Sequence, residues 1–400
     1  NRMLCVARGL RKSKNVSVLE NEVHNSTQTG IYLYQSPNNT ISSNFASHND
    51  QYGIYLYESD DNNLFSNHIW GSRYEALNIV LSNDVILSNN NVSNNLEHGI
   101  YIQMSNNSLV ESNLVMDNGH NGINMRDVAY SILLNNIAED NVWRGIYSST
   151  IRNVTIMGNN ISNNHGIGFY IVNCNSSKII NNLISNNHKT GFYINTGFNN
   201  NLSNNILHSN LNIGLFSYNC RESSIHQNQV YNNSQDGIAV EFSDTMIVSS
   251  NQVYNNSRNG CTTISIYYST FINNDIYENQ ESGISLWSNT ENNTFIGNNV
   301  SKNSQYGIYI YYTNDNNFTH NDIFENEFDG VYLRNSHENI FKSNKLRDNW
   351  ASGIYLSHSN QTEIIENYYY DNGNGVEIWN GEYNVIHHNN FTLNQNTAVD

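Results

Sequence analysis

The apolar residues of this chain fall in short runs that alternate with polar ones, and the runs recur at a fixed interval. Gly followed by an apolar residue stands at 30, 53, 99, 122, 145, 168, 191, 214, 237, 260 and 283, then at 307, 330, 353 and 375, and Ala76 fills the one gap. The step is 23 residues, with one step of 24 (283 to 307) and one of 22 (353 to 375). After Gly the first and third residues are mostly apolar, as in Ile31 and Leu33, Ile54 and Leu56, Ile100 and Ile102, Ile308 and Ile310. Later in each repeat one apolar column runs Ile41, Leu64, Leu87, Val110, Leu133 and on to Ile386, and another runs Ala46, Ile69, Val92, Val115 and on to Phe391. Short runs with a period of two predict strands. A helix needs the 3.6 period held over about ten residues or more, and no segment offers it.

Two Asn columns are stricter still. One occupies 21, 44, 67, 90, 113, 136, 159, 182, 205, 228, 251, 274, 298, 321, 344, 367 and 389 without exception. The other lies five residues later and is Asn at 15 of 16 positions from Asn49 to Asn394, with Ser72 the exception. Three strands in each repeat, separated by turns that never vary, do not make hairpins. The economical solution is a coil in which each strand pairs in parallel with its own copy one repeat later. The prediction is an all-β, right-handed parallel β-helix of about 17 coils, each with three short strands, treated as one domain over residues 1–400. Residues 1–14 form an irregular basic start, and coils run from about 15 to 397. Identical side chains then stack about 4.8 Å apart, so an Asn column passes amide hydrogen bonds from coil to coil. Asn also tolerates the left-handed conformation that turns require, and Gly does so more easily. The one-residue insertion is expected in the turn over Trp287–Asn293 and the deletion in the turn over Asn372–Gly375.

The repeat, as in Gly53-Ile54-Tyr55-Leu56 through Asn62-Asn63-Leu64-Phe65-Ser66-Asn67, resembles that of the NosD-type β-helix family, within the wider group of carbohydrate-binding and sugar-hydrolase β-helices. The likeness covers nearly the whole chain. It implies the fold. For function it implies only a range: periplasmic maturation factors, polysaccharide-processing enzymes, and large surface proteins without assigned chemistry. The copper association of the NosD name does not carry over, because the 14 His are scattered over many columns. Only His165 and His188 share a column on adjacent coils, and two ligands are too few for a metal site.

In the strand after Gly, the second and fourth residues point outward. The second position supplies Tyr32, Tyr55, Tyr101, Tyr147, Tyr170, Tyr193, Phe216, Tyr309, Tyr332 and Tyr355; the fourth adds Tyr34, Tyr57, Tyr218, Trp287 and Tyr311. An outward aromatic face is the expected working surface, either stacking on sugar rings or joining other proteins, while the same column also steadies the sheet through cross-strand pairs. The face is interrupted at Ala239, Thr262 and Ser285, where a shallow trough is expected with Glu241 in it and Asp236, Asp244 and Arg258 in nearby turns. These are the catalytic candidates if there is catalysis, although neither an Asp-Pro-His segment nor paired Asp with a downstream Arg-x-Lys is present. Glu325, Asp348 and Asp371 stack on successive coils, an acidic strip that calcium could relieve. The four Cys do not form a disulfide framework: Cys174 and Cys220 share a column two coils apart, Cys261 faces inward, and Cys5 lies in the irregular start. Sequons such as Asn38-Asn39-Thr40, Asn153-Val154-Thr155 and Asn390-Phe391-Thr392 offer glycosylation if the chain is exported.

Charge narrows the partners. Net charge is −17, and Arg2, Arg8, Arg11, Lys12 and Lys14 all precede the first acid. That excludes a nucleic-acid surface and an anionic-lipid surface, both of which need clustered Lys and Arg. No apolar run approaches the roughly 20 residues of a membrane span. Asn1 falls in mid-pattern, as in a mature or trimmed product, and neither end carries a clear cap. The expectation is therefore a non-catalytic extracellular or cell-surface β-solenoid. It would act as a spacer or assembly unit through its aromatic face and open ends, by self-association or with other surface proteins, and with no cofactor. The alternative is a β-helix that binds or processes an extended polysaccharide.

Overall fold

A computed structural model describes residues 8–399. Arg2 and Cys5, named above, lie outside the described residues. Among the described residues there are 51 strands and no helix, and three strands to a coil make 17 coils. The chain divides into two compact units, Asn1–Asn201 and Leu202–Asp400. Each unit is a parallel β-solenoid with the same coil plan: a first strand after the Gly, as at Ile54–Tyr57, a second at Asn63–Phe65 and a third at His68–Trp70.

Each strand pairs in parallel with its copy in the next coil. In the first unit Ile54, Tyr55, Leu56 and Tyr57 pair with Leu77, Asn78, Ile79 and Val80. In the second unit Ile308 to Tyr311 pair with Val331 to Arg334. The alternation inferred from the sequence is the burial pattern. Ile54 and Leu56 are fully buried and the tyrosines between and after them are half-buried. The interior of the second unit includes a stack of Phe271, Phe295, Phe318 and Phe341 with ring centroids 4.8, 4.8 and 4.7 Å apart. Side chains one coil apart thus meet at van der Waals distance, where dispersion is strongest.

The Asn columns form buried ladders, as anticipated. Asn67 donates from Nδ2 to Asn90 Oδ1 at 3.0 Å and to Ile41 O at 2.9 Å, and its backbone N–H donates to the same Asn90 Oδ1 at 3.0 Å. Each amide therefore binds the coil before it and the coil after it. Two turn expectations need correction. The ladder Asn residues do not themselves adopt the left-handed conformation. The residue before each one does, as at Ser43, Ser66, Asn89 and Ser112 with φ near +54°. The ladder Asn instead takes up the backbone N–H that the corner removes from the strand pairing. Nor does the recurring Gly serve a turn, since its φ is not positive. It is needed for close approach: a Cβ on Gly260 would fall 2.7 Å from Gly283 O and 2.8 Å from Asn279 Nδ2.

The irregular steps fall where length is tolerated. Ile264 pairs with Trp287 but Thr270 pairs with Thr294, so the extra residue sits in the turn between 287 and 294. Asn349 N–H still reaches Asn372 Oδ1, 23 residues on, whereas Ser352 pairs with Asn374, so the missing residue lies between 372 and 374.

Replacing one ladder amide tests this account. Asn136 Oδ1 accepts from Asn113 N and Nδ2, and its Nδ2 donates to Val110 O and Asn159 Oδ1. Asn136→Ala leaves buried donors and acceptors unpaired and is expected to lower the stability of the first unit by about 2–4 kcal/mol. Denaturant unfolding followed by far-ultraviolet circular dichroism measures it; a loss under about 1 kcal/mol would mean that the ladder is decoration.

Candidate functional site

The outward face of the first strands carries the aromatic column, but the rings mostly cover one another. In the first unit Tyr32 stacks on Tyr55 at 5.2 Å, Tyr34 on Tyr57 at 6.0 Å and Tyr170 on Tyr193 at 4.9 Å, while Tyr147 tilts against Tyr170 at 5.7 Å. In the second unit Trp287 meets Tyr309 at 5.3 Å and Tyr311 at 5.4 Å, Tyr309 meets Tyr332 at 5.7 Å, Tyr332 meets Tyr355 at 5.2 Å, and Phe216 sits edge-on to Tyr218 at 6.1 Å. A ring whose face is taken by its neighbour cannot also stack on a ligand. The column can therefore offer ring faces only where it is broken.

In the first unit the breaks are Asn78, in register between Tyr55 and Tyr101, and Asn124, between Tyr101 and Tyr147. Beside them runs a second column, the residue just before each Gly or, in one coil, before Ala76: Glu75, His98, Asn121 and Arg144 in successive coils. The His98 ring stacks on Tyr101 at 5.8 Å and 8°. His98 Nδ1 accepts the backbone N–H of Asn121 at 3.2 Å, so the neutral ring carries its proton on Nε2, which lies 2.9 Å from the side-chain amide of Asn124. Burial, and then the cations His120, Arg126 and Arg144, hold the pKa of His98 down at about 4. Burial also raises the pKa of Glu75; Glu97 adds to the rise and His120 opposes it. Tyr101 donates to Gln103 Oε1 at 3.0 Å; burial raises its pKa and the nearby Arg126 cation opposes the rise. His120 is held by Glu97 at 2.8 Å and stacks on Trp143 at 4.6 Å.

Asn78, Asn121 and Asn124 are at most 5% exposed, and the Oδ1 of each has no hydrogen-bond partner. If the Asn124 amide turns its oxygen to His98 Nε2–H, its nitrogen takes the unpartnered place instead. Either way a polar atom is left over. Buried polar groups in proteins are ordinarily paired; other buried atoms here also lack a partner, among them Oδ1 of Asn91 and Asn160, but at this face three such amides fall within three coils. A weak carboxylic acid, a neutral imidazole and a phenol beside a guanidinium are the groups that general acid–base chemistry uses.

The trough expected at Ala239, Thr262 and Ser285 lies in the second unit and is closed. All three are buried, and Asp236 Oδ1 accepts from Asn259 N and Nδ2 at 3.0 Å each while Asn259 Oδ1 accepts from Ser282 N at 3.1 Å. Glu241 does feel Asp236: its pKa is raised by burial first and by Asp236 second. The other two candidates are directed elsewhere, Asp244 to Arg221 at 3.0 Å and Arg258 to Glu281 at 3.6 Å. The acidic strip is met by the protein's own cations, with Glu325 on Lys302 at 3.7 Å and Asp348 on Arg347 at 3.3 Å. His165 and His188 stack at 5.0 Å, and among the described residues no group of three His, Cys, Asp or Glu could hold a metal. Cys174, Cys220 and Cys261 are buried free thiols. A second acid pair in this unit, Asp329 and Glu377, escaped the sequence reading. Burial, opposed by a Ser352 N–H bond at 2.7 Å and then reinforced by Glu377, lifts Asp329 to about 6. Glu377 accepts from Ser352 Oγ at 2.8 Å and Asn374 Nδ2 at 2.9 Å, so this network is satisfied internally.

The family described as right handed beta helix region matches residues 9–125, 81–214, 140–265, 171–323 and 264–392. The chain belongs to this right-handed β-helix family. No curated protein is significantly similar in sequence. Among solved structures, the A-module of the Azotobacter vinelandii mannuronan C-5 epimerase AlgE6 is 13% identical, with 90% of this chain and 89% of that one covered and a TM-score of 0.47. The Dettilon tailspike protein is 12% identical over 70% and 59%, with a TM-score of 0.45. DFA-IIIase from Arthrobacter chlorophenolicus A6 is 10% identical over 70% and 83%, with a TM-score of 0.43. The likeness is one of winding. The site described here rests on this chain's own residues.

The lowered pKa of His98 has a measurable sign. A histidine kept neutral by the fold contributes stability that is complete above its unfolded pKa of about 6.5 and is lost as pH falls toward 4. His98→Asn keeps an acceptor for Asn121 N–H and removes the titration. Between pH 7 and pH 4 the wild type should lose about 1–3 kcal/mol more than the variant, and equal losses in parallel denaturation series would contradict the buried neutral imidazole.

Proposed function

We propose that this chain binds and processes an extended polysaccharide on the first-strand face of its first unit, around Glu75, His98, Tyr101 and Arg126. One observation carries the reading: three buried amides keep an unpartnered polar atom beside a neutral His98, a Glu75 of raised pKa and a Tyr101 that feels the Arg126 cation. Sugar hydroxyls both donate and accept, and so can meet the carboxyl, imidazole, phenol and guanidinium groups gathered here. At the breaks Tyr52 packs on Tyr55 at 4.8 Å and Arg144 lies over Tyr147 at 5.1 Å, so a sugar would meet these groups at their edges and hydroxyls. The face continues on both sides. One hollow of about 500 Å³ is lined by Arg11, Tyr32, Tyr52 and Tyr55, and another of about 390 Å³ by Trp143, Arg144 and Lys189. A polymer suits such a run better than a compact ligand.

In this reading Glu75 is the acid, His98 the proton-holding partner through Nε2, and Arg126 lowers the cost of charge on Tyr101. The finer resemblance to the NosD-type branch, and a location outside the cytoplasm where such polymers lie, belong to the same proposal. The spacer and assembly reading draws on no interaction geometry in the described residues.

The test uses the full chain against neutral and acidic polysaccharides, with affinity electrophoresis for binding and product analysis by NMR for turnover. Glu75→Gln and His98→Asn should each lower turnover by about 100-fold or more while binding is retained, and Tyr55→Ala should weaken binding by about tenfold. Glu241→Gln should leave both unchanged. A chain that binds no glycan returns the field to the spacer reading. Turnover abolished by Glu241→Gln but not by Glu75→Gln would move the site to the second unit.

A further inference from the structure

The chain carries a net charge of −17, and most cations that meet a carboxylate do so in the second unit: Arg221 with Asp244, Arg258 with Glu281, Lys302 with Glu325, Lys342 with Glu366 and Arg347 with Asp322. Arg144, in the first unit, is different. Its guanidinium lies over the rings of Trp143, Tyr147 and Tyr170 at 5.7, 5.1 and 5.0 Å. It is half-buried, and burial lowers its pKa. Its neighbours are the neutral phenols of Tyr147 and Tyr170, and among the described residues no carboxylate forms an ion pair with it.

A guanidinium taken out of water without an anion is unfavourable, and ring faces compensate it only in part. The fold nevertheless keeps it so, at the wall of a hollow of about 390 Å³ that is also lined by Trp143, His165, Gly166 and Lys189, with no acid in the lining. Gly166 matters to the shape, because a Cβ there would run into the carbonyl oxygen of Trp143. In so acidic a chain, a hollow bordered by Arg144, Lys189 and His165 is the reverse of the average surface.

We propose that this hollow is an oxyanion subsite that takes a carboxylate or sulfate group carried on a sugar ring, with Arg144 as the bidentate donor and Lys189 as the closing charge. Resting on the polysaccharide reading above, it makes the polymer an acidic one. The planar fork of arginine matches the two oxygens of either group, and the rings that hold the guanidinium fix its orientation in advance.

Isothermal titration of the full chain with polygalacturonate, dextran sulfate and unmodified dextran tests the inference. At least one of the two charged polymers should bind and dextran should not, and whichever charged polymer binds more tightly tells carboxylate from sulfate. Arg144→Gln should weaken that binding about tenfold or more and Lys189→Gln by a smaller factor, with Arg144→Lys recovering part of the loss. Unchanged melting curves would show that the variants fold. Dextran binding as tightly as the charged polymers, or affinity untouched by both Arg144→Gln and Lys189→Gln, overturns this subsite and leaves the polysaccharide reading standing. Binding to none of the three, nor to any neutral or acidic glycan of the wider series, overturns both.

Discussion

At each corner of the coil the backbone leaves its strand, and an N–H that would have entered the ladder has nowhere to go. The corner residue is in the left-handed conformation, at a cost of about 1–2 kcal/mol where it is not Gly. The following Asn closes the gap, since its Oδ1 accepts that N–H and the amide nitrogen of the coil before, as Asn113 does for Asn90 at 3.0 and 2.9 Å. The same nitrogen then donates to a strand carbonyl one coil back, as Asn113 does to Leu87 O at 2.9 Å. Everything else depends on this exchange. It fixes the coil length, and it stacks the aliphatic columns and Phe271–Phe295–Phe318–Phe341 in register. Serine takes a reduced form of the role, as at Ser36, Ser59 and Ser82, where Oγ accepts the backbone N–H of the coil before and donates only to a carbonyl two residues back in its own coil.

With the interior so constrained, variation is confined to the outside, and there the same rule of one coil above another governs what chemistry is available. Like side chains stacked in a column satisfy each other. Tyrosines cover each other's faces, and turn residues pair in the same way, as Asp236 does with Asn259. Reactive groups survive where unlike residues are stacked. Glu75, His98, Asn121 and Arg144 follow one another in a single column, and apart from the bond from Asn121 N–H to His98 Nδ1 none of them completes the hydrogen bonding or charge of the next. The Asp329–Glu377 network shows the contrast: it is as acidic and as buried, but its donors are supplied by Ser352 and Asn374.

This changes the meaning of the aromatic face. An exposed column of Tyr looks like a platform for sugars, yet its members spend their faces on each other, and a platform exists only at an interruption. The three small residues Ala239, Thr262 and Ser285 make the longest interruption, but a turn ladder covers them. The shorter interruptions at Asn78 and Asn124 keep buried polar atoms without partners, and the rings beside them are met by Tyr52, His98 and Arg144 instead of by more tyrosines of the column.

The repeat by itself determined the coil, its three strands, the inward and outward positions and the Asn ladders, and it placed the insertion and deletion in their turns. It could do so because each coil meets only its neighbours: a 23-residue register is a contact list. Side-chain direction across columns is another matter. Whether Asp244 faces Glu241 or Arg221, whether Arg258 joins them or turns to Glu281, and whether small residues leave a trough or a filled turn are decided by packing between adjacent columns of the same coil, which the period does not encode. The residue before Gly was not picked out by the repeat. Its chemistry emerges only when Glu75, His98 and Arg144 are brought beside Tyr101, Asn124 and Tyr147 by the twist and spacing of the sheet, and when burial there leaves amides unpaired and an arginine without its anion.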